Sequence, residues 1–425
     1  MAEKQTLAKQ LNERKIKRPP ALIYGLLGGV WKLLFQKKYN LSWEFKTDFR
    51  KEKGPYILIS NHASRADYIF MGIPVLPNQY NFVVGYNEFF RSHLAGVFKL
   101  LNTIPKRNFV PDVYTIKQMD RVIRQGGKIV IFPEGMSSIS GANQPVAVGT
   151  GKFIKHYRLP VYYSVIKGGY LTSPKYNLEE RYGKVEVVYD QLFTPEEIDT
   201  LTPEEIEDKM NAAIYHDDYA WNKQKGYAYK NKGNIAENLH DLLYWCPKCN
   251  QEFSMEGKGN TIRCGACGNG ATIADTYDMT PFDDTCVIPE TQTKWFNMQR
   301  ENVKKEILEE GFELREKVQL GMLPEYQLLK DLKTSEIVGE GEIILNKDGF
   351  TYVGTKGGEP FTFHLKPTEL STYGMCTDLT RFYTFYKGEF MEFYPAAHCV
   401  EKWFLATEEI HRINGGKWQD FKFEK

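Results

Sequence analysis

No hydrophobic run in the 425-residue chain reaches the roughly 20 residues that cross a bilayer as a helix. The most apolar stretch, Ala21–Phe35 (ALIYGLLGGVWKLLF), stops at fifteen. Net charge is also scarce: 55 Lys and Arg stand against 54 Asp and Glu. Binding nucleic acid in general requires a basic excess to neutralise phosphates, so no nucleic-acid partner is expected. Cysteines are few and odd in number, seven in all, and the polar start Met1-Ala2-Glu3-Lys4-Gln5 shows no secretory signal with a small-residue cleavage site. A disulfide framework is therefore not expected, and a reducing compartment is. Repeats and low-complexity tracts are missing too. Aromatics are plentiful, 26 Tyr, 26 Phe and 7 Trp, enough to build real cores. A chain of this length predicts roughly two to four domains.

The neutral total hides an asymmetry. Residues 1–55 hold thirteen Lys and Arg against five Asp and Glu, a net of +8. Within them Pro19-Pro20 suit a helix start, and Lys37 and Lys38 suit a helix end. Residues 1–55 are read as a basic amphipathic segment that associates with a membrane, its helix interfacial or half-inserted with Trp31 and Lys32 near the headgroups. The other reading is a helix packed on the protein's own core.

From Tyr56 to about Phe193, short apolar runs alternate with helical periods. Strands are predicted at Tyr56–Ser60, Asn81–Val84, Lys128–Phe132, Val161–Ile166 and Lys184–Tyr189. Helices are predicted at Tyr68–Leu76, Glu88–Leu101, Val113–Gln125 and Gly149–His156. This alternation predicts an α/β domain over 56–235, a mixed, largely parallel sheet flanked by helices. Thr202–Gly226 reads as charged helix and Tyr227–Asn238 as a linker. A metal module is placed at 240–275. A helix plus β-rich domain is placed at 285–425, with a helix at Thr293–Leu308, strands such as GEIILN, GFTYVG, FTFHL, RFYTFY and EFMEFY, and a final helix near Val400–Ile413.

Asn61-His62-Ala63-Ser64-Arg65-Ala66-Asp67 follows the strand Ile57–Ser60. A histidine at a strand end, with a carboxylate five positions on across a turn, can form an imidazole–carboxylate pair. Transfer of an acyl group to an alcohol needs such a base to take the hydroxyl proton during attack. The alternative makes Asp67 a helix N-cap and His62 a buried strand-end residue. The strand Lys128–Phe132 then runs into Pro133-Glu134-Gly135-Met136-Ser137, a carboxylate and a flexible backbone at a loop mouth.

Together, Asn-His-x4-Asp and Phe-Pro-Glu-Gly, about seventy residues apart, resemble the first and third blocks of the glycerolipid acyltransferase family, the 1-acylglycerol-3-phosphate acyltransferases. Between them Thr103-Ile104-Pro105-Lys106-Arg107 looks like the block whose basic residue grips the acceptor phosphate, with Arg107 the better match and Lys106 second. Leu159-Pro160-Val161-Tyr162-Tyr163-Ser164-Val165 looks like the late Val-Pro strand. The resemblance covers about Leu22 to Phe193. It implies that His62, assisted by Asp67, deprotonates the free hydroxyl of lysophosphatidic acid for attack on an acyl-CoA or acyl-ACP thioester. It further implies that Arg107 and Lys106 hold the phosphate while Glu134 and Gly135 position the glycerol. Two departures leave the acceptor open to another lysophospholipid: Met136-Ser137 replace Thr-Arg, and Ser164 replaces a proline. The protein is placed at the cytoplasmic face of a membrane, peripheral or monotopic through the N-terminal helix. Readings of another class are a non-catalytic lipid-binding scaffold and a zinc-ribbon nucleic-acid protein.

Cys246-x2-Cys249-x14-Cys264-x2-Cys267 can place four thiolates around Zn²⁺, a structural zinc ribbon with no open coordination position. A redox dithiol is the other option. Cys286, Cys376 and Cys399 read as ordinary thiols. The layout of the β-rich tail with its last helix resembles pleckstrin-homology-like or GRAM-like domains.

Overall fold

The computed structural model describes residues 5–376 and 378–416. The start Met1–Lys4 and the last nine residues of the 285–425 unit lie outside the described residues.

Seven strands make the first sheet: β1 (Leu41–Phe45), β2 (Ile57–Ser60), β3 (Tyr80–Gly85), β4 (Ile104–Lys106), β5 (Lys128–Ile131), β6 (Val161–Lys167) and β7 (Val185–Phe193). Their order is β1-β7-β6-β2-β5-β3-β4, and every pairing is parallel except β6 with β7. The sheet is thus mixed and largely parallel, as the alternation predicts. β2 and β5 lie at its centre with every residue buried, which is why both read as unbroken apolar runs. Two strands escaped the sequence reading. β1 falls inside the segment set aside as membrane-associating, yet it pairs with β7, so the 56–235 domain begins too late. β4 lies in the segment Thr103–Arg107, for which no strand is predicted.

Two helices differ from expectation. Tyr68–Leu76 is helical only over Asp67–Phe70, because Gly72 and Pro74 follow and proline lacks the N–H the helix needs. Glu88–Leu101 divides into a 3₁₀ turn, Tyr86–Phe90, and a helix, Ser92–Leu100, at an extended Arg91. The cause is distant in sequence: Arg91 bridges Leu329, whose N–H donates to Phe90 O and whose carbonyl accepts from Ser92 N–H.

The helix Ala21–Lys38 serves two surfaces. Tyr24, Gly28 and Trp31 face the protein, where Trp31 meets Tyr68 edge-on at 5.4 Å. Gly28 lets the helix approach Leu76 closely: a Cβ there would stand 2.6 Å from Leu76 Cδ2. Leu22, Leu26, Val30, Leu33 and Leu34 point outward, with Leu33 83% exposed. Among the described residues no helix is long and apolar enough to cross a membrane.

Tyr227–Asn238 is not a loose linker. Tyr229, Ile235 and Ala236 are fully buried, Lys230 bridges Tyr182, and the buried Arg181 donates to Ile235 O. Four short antiparallel strands follow: β8 (Met255–Lys258), β9 (Thr261–Cys264), β10 (Gly270–Ile273) and β11 (Met279–Pro281). The helix Gln292–Leu308 leads to a second seven-stranded, antiparallel sheet. It comprises β12 (Glu313–Met322), β13 (Glu336–Asn346), β14 (Gly349–Lys356), β15 (Glu359–Leu365), β16 (Gly374–Met375), β17 (Phe382–Tyr386) and β18 (Glu389–Pro395), in the order β15-β14-β13-β12-β18-β17-β16. The helix Val400–Ile413 closes the chain, anchored by Arg300 from Gln292–Leu308, whose guanidinium bonds Glu408 and Glu409 at 2.7 and 3.1 Å with all three side chains buried.

Candidate active site

Strand register brings the two motifs together. Ile59 of β2 lies opposite Ile131 of β5, and each strand ends near this pair. Three residues further along each chain stand His62 and Glu134. Parallel strands leave the sheet at the same end, so both loops emerge side by side. Asn61 pins the exit of β2 through reciprocal bonds to β6: its Nδ2 donates to Ile166 O at 2.9 Å, and its Oδ1 accepts from Ile166 N–H at 2.7 Å.

His62 and Asp67 form the expected pair, Nδ1 to Oδ2 at 2.8 Å. The carboxylate is buried and also accepts the N–H and hydroxyl of Ser64. Burial pushes the Asp67 carboxyl up, while the imidazole and Ser64 draw it back. An ionised Asp67 makes Nδ1 the protonated nitrogen and leaves Nε2 basic. The ring stacks on Phe132 at 4.5 Å, which fixes its plane, and the His62 side chain remains 25% exposed. It is not sealed in the core.

Glu134 lies inside the protein behind the histidine loop. Its carboxylate is completely buried, and its oxygens accept from His62 N–H at 2.6 Å, Asn143 Nδ2 at 2.9 Å and Gln144 N–H at 2.8 Å. A carboxylate engaged in this way ties the histidine loop to the loop after β5. Burial raises its pKa to about 8 even against these three donors. Gly135 has φ +80°, a conformation that favours glycine, and a Cβ there would sit tight against the Phe109 ring at 3.0 Å.

Arg107 and Lys106 lie at the end of β4. The Arg107 guanidinium rests 4.3 Å above the Tyr86 ring, with Asp112 at 3.5 Å and Asn12 Oδ1 at 3.4 Å. Its Nε is buried without a hydrogen-bond partner. Lys106 Nζ donates to Arg107 O, and burial lowers its pKa.

The motif departures turn inward. Met136 is buried in the core, and Ser164 bonds Ser60 across β6 and β2, its Oγ donating at 2.8 Å. A second pair was missed: His216 Nε2 stands 2.8 Å from the buried Asp218, which also accepts the N–H groups of Gly168 and Tyr170. This pair and His62 line a cavity of about 10 Å³, room for about one water. No motif marks His216, because only folding sets it beside residue 62.

The four predicted cysteines gather with all Sγ atoms within 4.8 Å of one another. Cys246 and Cys267 stand 3.7 Å apart, and Cys249 and Cys264 3.8 Å. A tetrahedron with Zn–S bonds of about 2.3 Å has S–S edges of about 3.8 Å, so the donor set fits zinc in type and size.

Residues 42–167 match the family described as Acyltransferase. Among solved structures the chain is similar to the 1-acyl-sn-glycerophosphate (LPA) acyltransferase PlsC from Thermotoga maritima. That similarity is at 17% identity, over 46% of this chain and 76% of that one, with a TM-score of 0.38. The family match contains the His62–Asp67 pair, the Lys106–Arg107 segment and the Glu134 loop, and ends before the cysteine module. The chain carries a domain of the acyltransferase family.

Proposed function

We propose that this acyltransferase moves a fatty-acyl group from the thioester of coenzyme A or acyl carrier protein to the free hydroxyl of lysophosphatidic acid, giving phosphatidic acid. The observation that carries the reading is the buried Asp67 carboxylate on Nδ1 of a partly open His62 ring. In the proposed step Nε2 takes the hydroxyl proton as the oxygen forms a bond to the thioester carbonyl carbon. The tetrahedral oxyanion then collapses, the C–S bond breaks, and the departing thiolate takes the proton from the imidazolium. Asp67 stabilises that imidazolium and is not itself protonated. No protein nucleophile is needed. Arg107, with an unspent Nε donor, and Lys106 receive the acceptor's phosphate.

The exposed leucine face of Ala21–Lys38 and the basic residues of the first 55 support docking on an anionic lipid surface at the cytoplasmic face, without a spanning helix. The four thiolates support a structural zinc ribbon. The order of the C-terminal strands, with a helix closing the chain, supports a pleckstrin-homology-like domain.

The test is acyl transfer by purified protein, with lysophosphatidic acid and other lysophospholipids as acceptors and acyl-CoA and acyl-ACP as donors. Phosphatidic acid is expected from wild type and not from His62→Ala. Equal product from both would defeat the mechanism. Preference for another lysophospholipid would change the acceptor and leave the reaction standing. Vesicle binding with no turnover would favour a lipid-binding scaffold.

A further inference from the structure

We propose that the C-terminal β domain is a working part of the acceptor site, and that Phe385 and Tyr383 are positioning residues for the Arg107–Phe109 loop. The inference rests on the reading of Arg107 as the phosphate-binding residue.

The contact between the two sheets is a built interface. Tyr86, Phe89 and Phe90 from the acyltransferase side and Leu329, Tyr383, Phe385 and Phe390 from the C-terminal side form a separate buried aromatic core. Backbone bonds stitch its rim: Leu329 pairs across Arg91, and Leu7 N–H donates to Glu325 O. A mobile tether between independent domains would show neither a shared core nor a shared bridge.

The interface ends at the acceptor loop. Phe385 meets Tyr86 edge-on at 6.4 Å between centroids, and the Arg107 guanidinium lies 4.3 Å from the same Tyr86 ring. The next residue, Asn108, donates from Nδ2 to Tyr383 Oη at 3.4 Å. The one after, Phe109, packs its ring over the Gly135 position on the catalytic loop. Three successive residues thus face, in turn, an aromatic held by the C-terminal domain, a hydroxyl of that domain, and the loop tied through Glu134 to His62. A guanidinium on a fixed aromatic platform has lost most of its freedom before the phosphate arrives, so binding costs less. Shifting the platform moves the charge that grips the acceptor while His62, in the loop after β2, and Asp67, bonded to it and to Ser64, stay in place.

The experiment is steady-state kinetics of the full chain with lysophosphatidic acid varied at saturating acyl donor, for Tyr383→Phe, Phe385→Leu, Arg107→Ala and the Phe385→Leu/Arg107→Ala double variant. Val353→Ala, on the exposed face of β14, is the control and is expected to match wild type. Tyr383→Phe keeps the ring and removes only the bond to Asn108, so it remains informative if Phe385→Leu folds poorly. Expected for Phe385→Leu is a KM for the acceptor raised by about five- to tenfold with kcat within about twofold, and a smaller rise for Tyr383→Phe. In the double variant the effect of Phe385→Leu should vanish, because its lever is gone. If Arg107→Ala leaves KM unchanged, the phosphate reading fails and this inference falls with it. If Arg107→Ala raises KM but the Tyr383 and Phe385 variants do not, or their effects add to it in full, the inference alone is overturned. A fall in kcat with unchanged KM would also overturn it.

Discussion

The backbone N–H of His62 donates to the buried carboxylate of Glu134 at 2.6 Å, across 72 positions of sequence. Through this bond the Glu of Phe-Pro-Glu-Gly holds the backbone of the histidine loop. Asn143, which shares the same carboxylate oxygen, extends the link by accepting from His216 N–H at its own Oδ1.

Glu134→Gln tests this role. Whichever way the amide is turned, its NH2 meets a backbone or side-chain donor that the carboxylate accepted. Above about pH 8, where the group is an ionised carboxylate accepting all three donors, the variant is expected to lose about 1–3 kcal/mol of stability, read as a lower denaturant midpoint, and to lower kcat more than KM. The pH dependence carries a sign. Burial raises the folded pKa to about 8 from the ordinary 4.5, so above pH 4.5 the unfolded chain loses this proton while the folded protein keeps it. The Glu134 contribution therefore falls as pH rises from about 4.5 to about 8 and is level beyond. Unfolding midpoints across that window should decline less steeply in Glu134→Gln than in wild type.

Asp67→Asn keeps the size of the side chain but removes the charge that favours the imidazolium. It is expected to lower kcat by about a thousandfold or more, with acceptor KM changed little, in the phosphatidic acid assay. A loss of less than about tenfold would leave Asp67 as no more than a cap on the turn it shares with Ser64.

Metal analysis of the purified chain is expected to find one zinc, lost in Cys264→Ser. A chelator should lower the unfolding temperature, because the cysteine module is joined to the rest by Trp245, whose carbonyl accepts from the buried Trp295 Nε1 at 2.8 Å. Zinc retained in full by Cys264→Ser would rule out the four-thiolate site.

Arg300→Met leaves the buried Glu408 without its cation, while Glu409 keeps Arg412 at 2.8 Å. A cost of about 3–5 kcal/mol in denaturant unfolding is expected. Replacing Glu408 by leucine in the same chain should recover most of it, since the penalty belongs to that unpaired charge.

Leu26→Glu with Leu33→Glu alters residues 63% and 83% exposed. The unfolding midpoint should stay where it is, while partition into anionic vesicles drops by about tenfold or more. Unchanged partition would remove this helix as the lipid-docking element.

Much of the first sheet was legible because β2, β5 and β6 are buried on both faces and so read as plain apolar runs. β1 was not, since Leu-Ser-Trp-Glu-Phe at the sheet edge has only its first residue fully buried. The break at Arg91 was invisible for another reason: nothing in its own neighbourhood forbids a helix, and the competing partner, Leu329, arrives from the other domain. Tyr227–Asn238 looked like a linker because its polar residues outnumber the few apolar ones that the fold buries.

The sequence alone determined what depends on neighbours a turn apart. His62 and Asp67 sit close enough along the chain to meet across one turn, and four cysteines in two short knuckles need only a hairpin to converge. Tertiary structure decided everything set by burial and by distant partners. It made the buried Glu134 a tether between two loops, set Arg107 on an aromatic platform shared with the C-terminal domain, and brought His216 beside the catalytic loop. Local spacing repeats every two or 3.6 residues and carries no record of which surface a side chain will meet once the two sheets have packed.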